Sequence, residues 1–134
     1  MNLSTIDEQL MLDVLSVPTV SQHEHLLVEF LMDFAKKYDV DAGLDAKGNV
    51  YFTKGMVADG EFYPCVCAHI DTVQDNQLKW INENKRLEIK TEEYLGKHYL
   101  SCEGFGLDGD DKAGVLICLT RLKRFPVLKA VFFI

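Results

Sequence analysis

Basic charge is scarce in this chain of 134 residues. Fourteen Lys and Arg face 21 Asp and Glu, so the formal net charge is −7. No run of Lys or Arg stands out, which argues against a nucleic-acid partner. No apolar run approaches the ~20 residues of a membrane helix. The N-terminus also lacks the basic and then apolar segments of a secretory signal. These absences predict a cytoplasmic protein without a membrane partner.

Cysteine pairs with metal-site or redox spacing are also missing. The four cysteines do not form C-x-x-C, and no second pair follows at zinc-ribbon spacing: Cys65, Cys67, Cys102 and Cys118. We expect reduced, mostly structural thiols, as in a cytoplasmic protein. What the chain does contain is 48% hydrophobic residues, enough for the core of one ordinary domain.

Two helices are predicted near the N-terminus. Each opens with the capping-box pattern, Thr5 with Glu8 and then Ser21 with Glu24. In the second helix, the apolar residues recur at helical spacing: Leu26, Leu27, Phe30, Leu31 and Phe34. Residues 40–55 then predict a hairpin with its turn at 47–49.

The later half of the chain mixes strands with one more helix. The almost wholly apolar runs YPCVCAHID (63–71) and LKAVFFI (128–134) are typical of strands buried on both faces. Residues 77–101 alternate as an antiparallel meander would, with strand-like stretches at 78–84, 86–91 and 97–102 and turns at 84–85 and 95–96. The helix pattern resumes at Asp110. The predicted fold class is therefore α/β, a mixed, mostly parallel sheet flanked by helices on both sides, with a small antiparallel meander. Because the sequence stops inside a buried strand, we expect it to continue in a longer parent.

The loop GFGLDGDDKAG (104–114) opens the last predicted helix and carries unusual charge. Its first six residues match the dinucleotide fingerprint G-x-G-x-x-G. Three carboxylates at a helix N-terminus would repel a pyrophosphate, however, so a dinucleotide-binding domain is only a remote alternative: Asp108, Asp110 and Asp111. A calcium loop of the EF-hand type fails at three required positions.

A second polar motif closes the strand at 63–70. His69 and Asp71 point to the same side of an extended backbone. In an open α/β sheet, ligands bind beyond the carboxyl ends of strands. A carboxylate placed there can accept the second ring N–H of a metal-bound imidazole and so fix its tautomer.

Together the motifs H-I-D-T (69–72) and G-D-D-K-A-G (109–114), with S-V-P-T-V-S (16–21), resemble the co-catalytic di-zinc exopeptidase family. That family includes peptidase T, carboxypeptidase G and the aminoacylases. Within it, the residues D-D-K-A-G (110–114) are most similar to the peptidase T branch. The resemblance covers essentially the whole chain. It implies that residues 1–134 are the N-terminal portion of a zinc-exopeptidase-like catalytic domain, with the lid or dimerisation domain absent.

The resemblance also implies roles for four residues. His69 would be a metal ligand, and Asp71 would orient it as part of the catalytic site. Asp110 would bridge two Zn²⁺ ions, with cobalt or manganese as alternative ions. Asp111 would follow across a cis peptide bond as a neighbour of the metal shell.

The expected function of the full-length parent is that of a zinc-dependent peptidase. It would hydrolyse a peptide or N-acyl amide bond with zinc-activated water. Its partners would be a small peptide or N-acyl amino acid and, through the lid, a second copy in a homodimer. This chain is expected to be inactive alone, because the family's general base and remaining ligands are not in it. The alternative is a truncated or degenerate, non-catalytic binding or assembly domain.

Lesser expectations concern residues around the motifs. Asp108 is either an outer carboxylate of the site or a turn-forming residue, the latter being favoured. Gly109 would relieve crowding beside the metal, and Gly114 would let the helix pack close to the sheet. The remaining histidines are expected in solvent: His23, His25 and His98.

Overall fold

A computed structural model describes residues 7–134 of the chain. Within that range the strands form a main sheet of four strands and a separate sheet of two strands. The helices are α1 (Glu8–Ser16), α2 (His25–Lys37), α3 (Leu78–Asn82) and α4 (Gly109–Arg124). The strands are β1 (Asp41–Leu44), β2 (Val50–Lys54), β3 (Cys65–His69), β4 (Lys90–Tyr94), β5 (Lys97–Ser101) and β6 (Leu128–Phe133).

Helix α1 is present, and its N-cap is Asp7. The Asp7 carboxylate accepts a hydrogen bond from the backbone N–H of Leu10 at 3.0 Å, which satisfies one free donor of the first turn. The same carboxylate pairs with Lys123 near the end of α4. Thr5, the predicted cap, lies outside the described residues.

Helix α2 is also present, but its predicted capping box is wrong. The N-cap is Glu24, which makes no side-chain cap and instead accepts the N–H of Gln22 at 2.7 Å. The Ser21 hydroxyl donates to the Thr72 carbonyl at 3.0 Å. The Ser21 side chain therefore makes a tertiary hydrogen bond instead of the helix cap that the local sequence predicted. The predicted apolar face is confirmed, since three of its members are buried and two pack against the core.

The main sheet is not mostly parallel. Strand β1 pairs with β2 and β2 with β6 in antiparallel register, and only β3 and β6 run parallel. The predicted hairpin at 47–49 is confirmed and forces β1 against β2. The apolar character of a strand predicts its burial but carries no information on the direction of its neighbours.

The sheet is covered by helices on one face in the described residues, rather than on both. On β6, Phe132 is fully buried while the adjacent Phe133 is 43% exposed. On β3, Cys65 and Cys67 are exposed. Buried and exposed residues therefore alternate along both strands. The prediction from their apolar runs, that both faces are buried, is wrong. The core lies on the opposite face, against α1, α2 and α4: Val14, Leu27, Leu31, Phe52, Leu119, Leu122 and Phe132 among others.

The predicted meander is half correct. Its second part is the β4–β5 hairpin, with Leu95 and Gly96 at positive φ in the turn as expected. Its first part, Leu78–Asn82, is the short helix α3 with Ile81 buried. Alternation over seven residues is too short to distinguish a strand from one turn of a helix that packs on one side. The small antiparallel element is therefore two-stranded.

No helix in the described part of the chain combines the length and apolar content needed to cross a bilayer.

Candidate metal-binding site

His69 is the last residue of β3, where it lies beside Phe133 of the parallel strand β6. The carboxyl ends of two parallel strands thus share one edge of the sheet, the usual place for ligands in α/β folds. A cleft of about 330 Å³ opens there, lined by the 69–74 segment and by residues 108–110. The structure therefore brings the two sequence motifs into one site across 40 residues of chain.

The His69 ring lies between two carboxylates. Its Nδ1 is 3.0 Å from Asp71 Oδ1, and its Nε2 is 2.9 Å from Asp110 Oδ1. Burial lowers the pKa of His69, but the hydrogen bonds to Asp110 and Asp71 outweigh it, so the net shift is upward. The protonated form of the His69 ring is therefore stabilised by a carboxylate on each side.

Asp110 is the exposed member of the cluster, with 95% of its side chain open to solvent. The side chains of His69 and Asp71 are 42% and 38% exposed. Both carboxylates line the cleft, and Asp71 also accepts a hydrogen bond from the Ser21 hydroxyl at 3.5 Å. Asp110 is therefore the more accessible of the two carboxylates that flank the ring.

Asp111 anchors the start of α4 to the end of β3. The peptide bond between Asp110 and Asp111 is cis, as the resemblance implies. One Asp111 oxygen accepts the backbone N–H of His69 at 3.3 Å, and the other accepts the N–H of Gly114 at 2.9 Å. Asp111 thus contacts the main chain of His69 and not its ring.

The two glycines of the motif have other roles than those expected. A Cβ at Gly109 would meet no atom within 4 Å, so crowding does not require glycine there. A Cβ at Gly114 would collide with the carboxylate of Asp111. Gly114 therefore makes room for Asp111 rather than for close packing of the helix on the sheet.

Asp108 is a buried ion-pair partner in addition to a turn residue. Its backbone is left-handed, with φ 53°, as the turn interpretation requires. Its side chain is almost fully buried and lies 3.5 Å from the Nζ of Lys112. Burial raises the pKa of Asp108, whereas burial lowers that of Lys112 to about 8, and each charge opposes the other's shift.

Sequence reasoning missed Lys112 and Gln77, which are both fully buried beneath the site. A signal for Lys112 was present. It falls on the same helical stripe as Val115, Leu119 and Leu122, which are buried in α4. A lysine on an apolar stripe requires a buried partner, and Asp108 stands four residues earlier. Gln77 carried no such signal, because its partners are distant in sequence.

The donor set at the cleft fits one end of a zinc site. An imidazole and a carboxylate are ordinary zinc ligands, and a second carboxylate on the far ring nitrogen is their usual support. Within residues 7–134, no group of three or more His, Cys, Asp or Glu side chains is placed to hold a metal ion. A complete site needs donors beyond His69 and Asp110.

The remaining candidates lie apart from the cleft. His23, His25 and His98 are exposed, as expected. The strand before the glycine-rich loop is β5 of the separate two-stranded sheet, whereas a dinucleotide fingerprint follows a strand of a βαβ unit. The four cysteines are free thiols, with Cys118 buried and Cys65 and Cys67 exposed.

Fold and cleft together define an α/β domain with a polar site at the ends of two parallel strands. No protein-family model matches the sequence, and no curated protein matches it significantly. Solved structures do match, and their names agree with the peptidase T-like resemblance seen in the motifs. That resemblance is confirmed at the level of the fold.

Three solved structures illustrate the match. Aminopeptidase PepT from Bacillus cereus ATCC 10987 superposes with a TM-score of 0.70 at 20% identity over 96% of this chain. A tripeptidase from Staphylococcus aureus subsp. aureus Mu50 gives 0.67 at 19% identity, also over 96%. Aminoacylhistidine dipeptidase from Vibrio alginolyticus gives 0.67 at 21% identity over 98%. The chain spans 29–36% of the length of these structures.

Proposed function

We propose that this chain is the N-terminal portion of the catalytic domain of a zinc-dependent exopeptidase that acts on small peptides or N-acyl amino acids. The observation that carries the proposal is His69, held by Asp71 on one ring nitrogen and facing Asp110 with the other. The printed names of the structural relatives, a dipeptidase, a tripeptidase and an aminopeptidase, support the reaction class. Exposed, free Cys65 and Cys67 agree with a cytoplasmic location.

Each residue has a defined task in this proposal. His69 Nε2 and the Asp110 carboxylate would hold Zn²⁺, or cobalt or manganese in its place, and Asp110 would be shared between two ions. Bound zinc supplies Lewis-acid polarisation of the scissile carbonyl and a more acidic water. With the ion bound, Asp71 would accept the Nδ1–H of His69, so that the Nε2 lone pair would be available to the metal. Asp111 fixes the backbone of His69 relative to α4.

The described residues supply fewer ligands than a working site requires. Zinc in proteins has three or four protein ligands, and two direct donors are found here. Hydrolysis also needs a base to take the proton of the attacking water, and the carboxylates that line the cleft, Asp71, Asp108 and Asp110, are already paired with His69 or Lys112. The chain by itself is therefore expected to be catalytically silent, with the missing groups supplied by further sequence or by a second chain.

Zinc titration of the chain by calorimetry tests the ligand assignment. We expect His69→Ala and Asp110→Ala each to abolish the binding seen in the unaltered chain. Asp71→Asn should weaken it by roughly 10- to 100-fold through loss of the orienting carboxylate. His98→Ala, a change at an exposed histidine of β5, is the matched control and should leave binding unchanged. Unaltered binding in the first two variants would reject the assignment.

Incubation of the purified chain with a tripeptide and Zn²⁺ tests the expected silence. No cleavage above background is predicted. Chelator-sensitive cleavage by this chain that is lost in Asp110→Ala would contradict the claim that the site is incomplete.

One observation favours a second candidate, a non-catalytic binding or assembly domain. The uncovered face of the sheet presents apolar side chains, among them Tyr51 at 42% and Phe133 at 43% exposure. Such a face is available to a partner. Zinc binding that depends on His69 and Asp110 favours the peptidase, and its absence favours the binding domain.

A further inference from the structure

Five buried polar side chains lie directly beneath the cleft and form a continuous network. They are connected by hydrogen bonds and one ion pair, and each is at most 9% exposed: Thr19, Thr72, Gln77, Asp108 and Lys112. We call this set the buried polar network. Burial of so many polar groups is costly unless all are paired, and apolar residues of similar volume often stabilise a core equally well. A contribution to the free energy of unfolding is therefore a poor explanation for the presence of five polar side chains at these buried positions.

Half of the network holds the segment that carries His69 and Asp71. The Thr19 hydroxyl donates to the carbonyl of Ile70 at 3.2 Å, and the Thr72 hydroxyl donates to the carbonyl of Thr19. These two bonds clamp the chain on both sides of Asp71 as it leaves β3. The geometry of the His69–Asp71 pair therefore depends on Thr19.

The other half holds the segment that carries Asp110 and Asp111. Lys112 donates to the carbonyl of Val17 at 2.7 Å and to that of Leu15 at 3.3 Å. It also pairs with Asp108. Two charged anchors thus flank the pair Asp110–Asp111, one two residues before Asp110 and one directly after Asp111.

Gln77 joins the two halves. Its side-chain oxygen accepts the N–H of Thr19 at 3.1 Å, and its amide nitrogen donates to Asp108 Oδ2 at 2.6 Å and to the Gly106 carbonyl at 3.1 Å. We propose that Gln77 is a positioning residue that sets Asp110 opposite His69 by linking the two segments through the buried polar network. The link of this residue to metal binding rests on the proposed function, whereas its effect on geometry does not.

The test uses Gln77→Met, which keeps the length of the side chain and removes its three hydrogen bonds. The readout is amide hydrogen exchange in the metal-free chain, because the His69 N–H donates to Asp111, the neighbour of Asp110. We expect the protection of this N–H to fall about tenfold or more relative to that of Leu119 in the core of α4. Gln77→Leu removes the same three hydrogen bonds and gives the same readout if Gln77→Met does not fold.

Leu27→Ala is the matched control. It removes buried side-chain volume in α2 and lowers global stability without removing a hydrogen bond of the network. We expect it to leave the ratio of the His69 and Leu119 protection factors unchanged. An unchanged ratio in a folded Gln77→Met or Gln77→Leu chain would overturn the proposal.

A second readout is zinc titration followed through the ring protons of His69. We expect the apparent Kd of Gln77→Met for Zn²⁺ to rise roughly tenfold, as for other groups that orient metal ligands. Equal affinity in the variant and the unaltered chain would overturn the positioning role. If the unaltered chain binds no Zn²⁺ through His69 and Asp110, the proposed function fails, and the exchange ratio still decides the role of Gln77.

Discussion

At the scale of single residues, the site depends on carboxylates with different surroundings. Asp110 is open to solvent, Asp71 supports a ring, and Asp108 is buried against Lys112. Both carboxylate oxygens of Asp111 accept hydrogen bonds from backbone N–H groups. The three aspartates of the loop therefore have three separate tasks, and only Asp110 offers an exposed carboxylate as a candidate ligand.

Gly114→Ala should destabilise the chain because its new Cβ would displace the Asp111 carboxylate. A cost of about 1–3 kcal/mol in the free energy of unfolding is expected for such overpacking. Urea denaturation measures it. Gly109→Ala is the matched control, because open space surrounds that position, and it should be neutral or slightly stabilising. Equal effects of the two substitutions would contradict the role given to Gly114.

At the scale of elements, local turn chemistry decided the β1–β2 hairpin. Gly48 has a φ of +97°, which glycine adopts without strain. Asp45 accepts the N–H groups of Lys47 and Asn49 at 2.9 and 3.0 Å, and its second oxygen accepts the Asn49 side chain at 2.8 Å. All of these partners lie within four residues, so the turn was predictable from sequence.

Acid should weaken this hairpin in a defined window. The hydrogen bonds from the side chain and backbone of Asn49, with others from Tyr51 and Lys47, lower the pKa of Asp45 to about 2. A depressed carboxyl pKa means that the contribution is present above the unfolded value near ~3.9 and is lost as pH falls towards 2. Melting curves from pH 5 to 2 should show a smaller acid-induced loss of Tm in Asp45→Asn. Parallel curves for the two chains would count against this assignment.

At the scale of the whole molecule, one face of the sheet carries the core. Phe52 stacks with Phe34 of α2, with ring centroids 6.5 Å apart, and meets Phe132 edge-on at 5.2 Å. These three rings join α2 to the two central strands. On the opposite face of the sheet, the neighbouring Phe133 is exposed to solvent. The fold thus has a buried side and an unpartnered side.

Two adjacent phenylalanines test this division. Phe132→Ala should cost about 3–5 kcal/mol, because it removes a fully buried ring from the core. Phe133→Ala, at 43% exposure on the other face, should cost under about 1 kcal/mol. Urea denaturation of both variants supplies the comparison. Similar losses would show that the second face is also packed.

How much the sequence predicted follows from how local each signal was. The α2 face, the 47–49 turn and the Leu95–Gly96 turn were all correct, since their causes lie within a few residues. The Ser21 cap is wrong because Ser21 bonds to Thr72, 51 residues away. The strand predicted at 78–84 is wrong because seven alternating residues do not exclude a helix. Strand direction failed because apolar runs encode burial alone.

The sequence by itself determined the chemistry at the two motifs. A histidine with a neighbouring carboxylate ends one strand, and a carboxylate pair opens one helix, so the donor atoms available at the two motifs are set by residue type. Only the tertiary structure decided that His69 and Asp110 meet within 2.9 Å. It also decided that Lys112 and Gln77 lie buried beneath them. Such contacts join segments 31 to 95 residues apart, and only the packed chain brings those segments together.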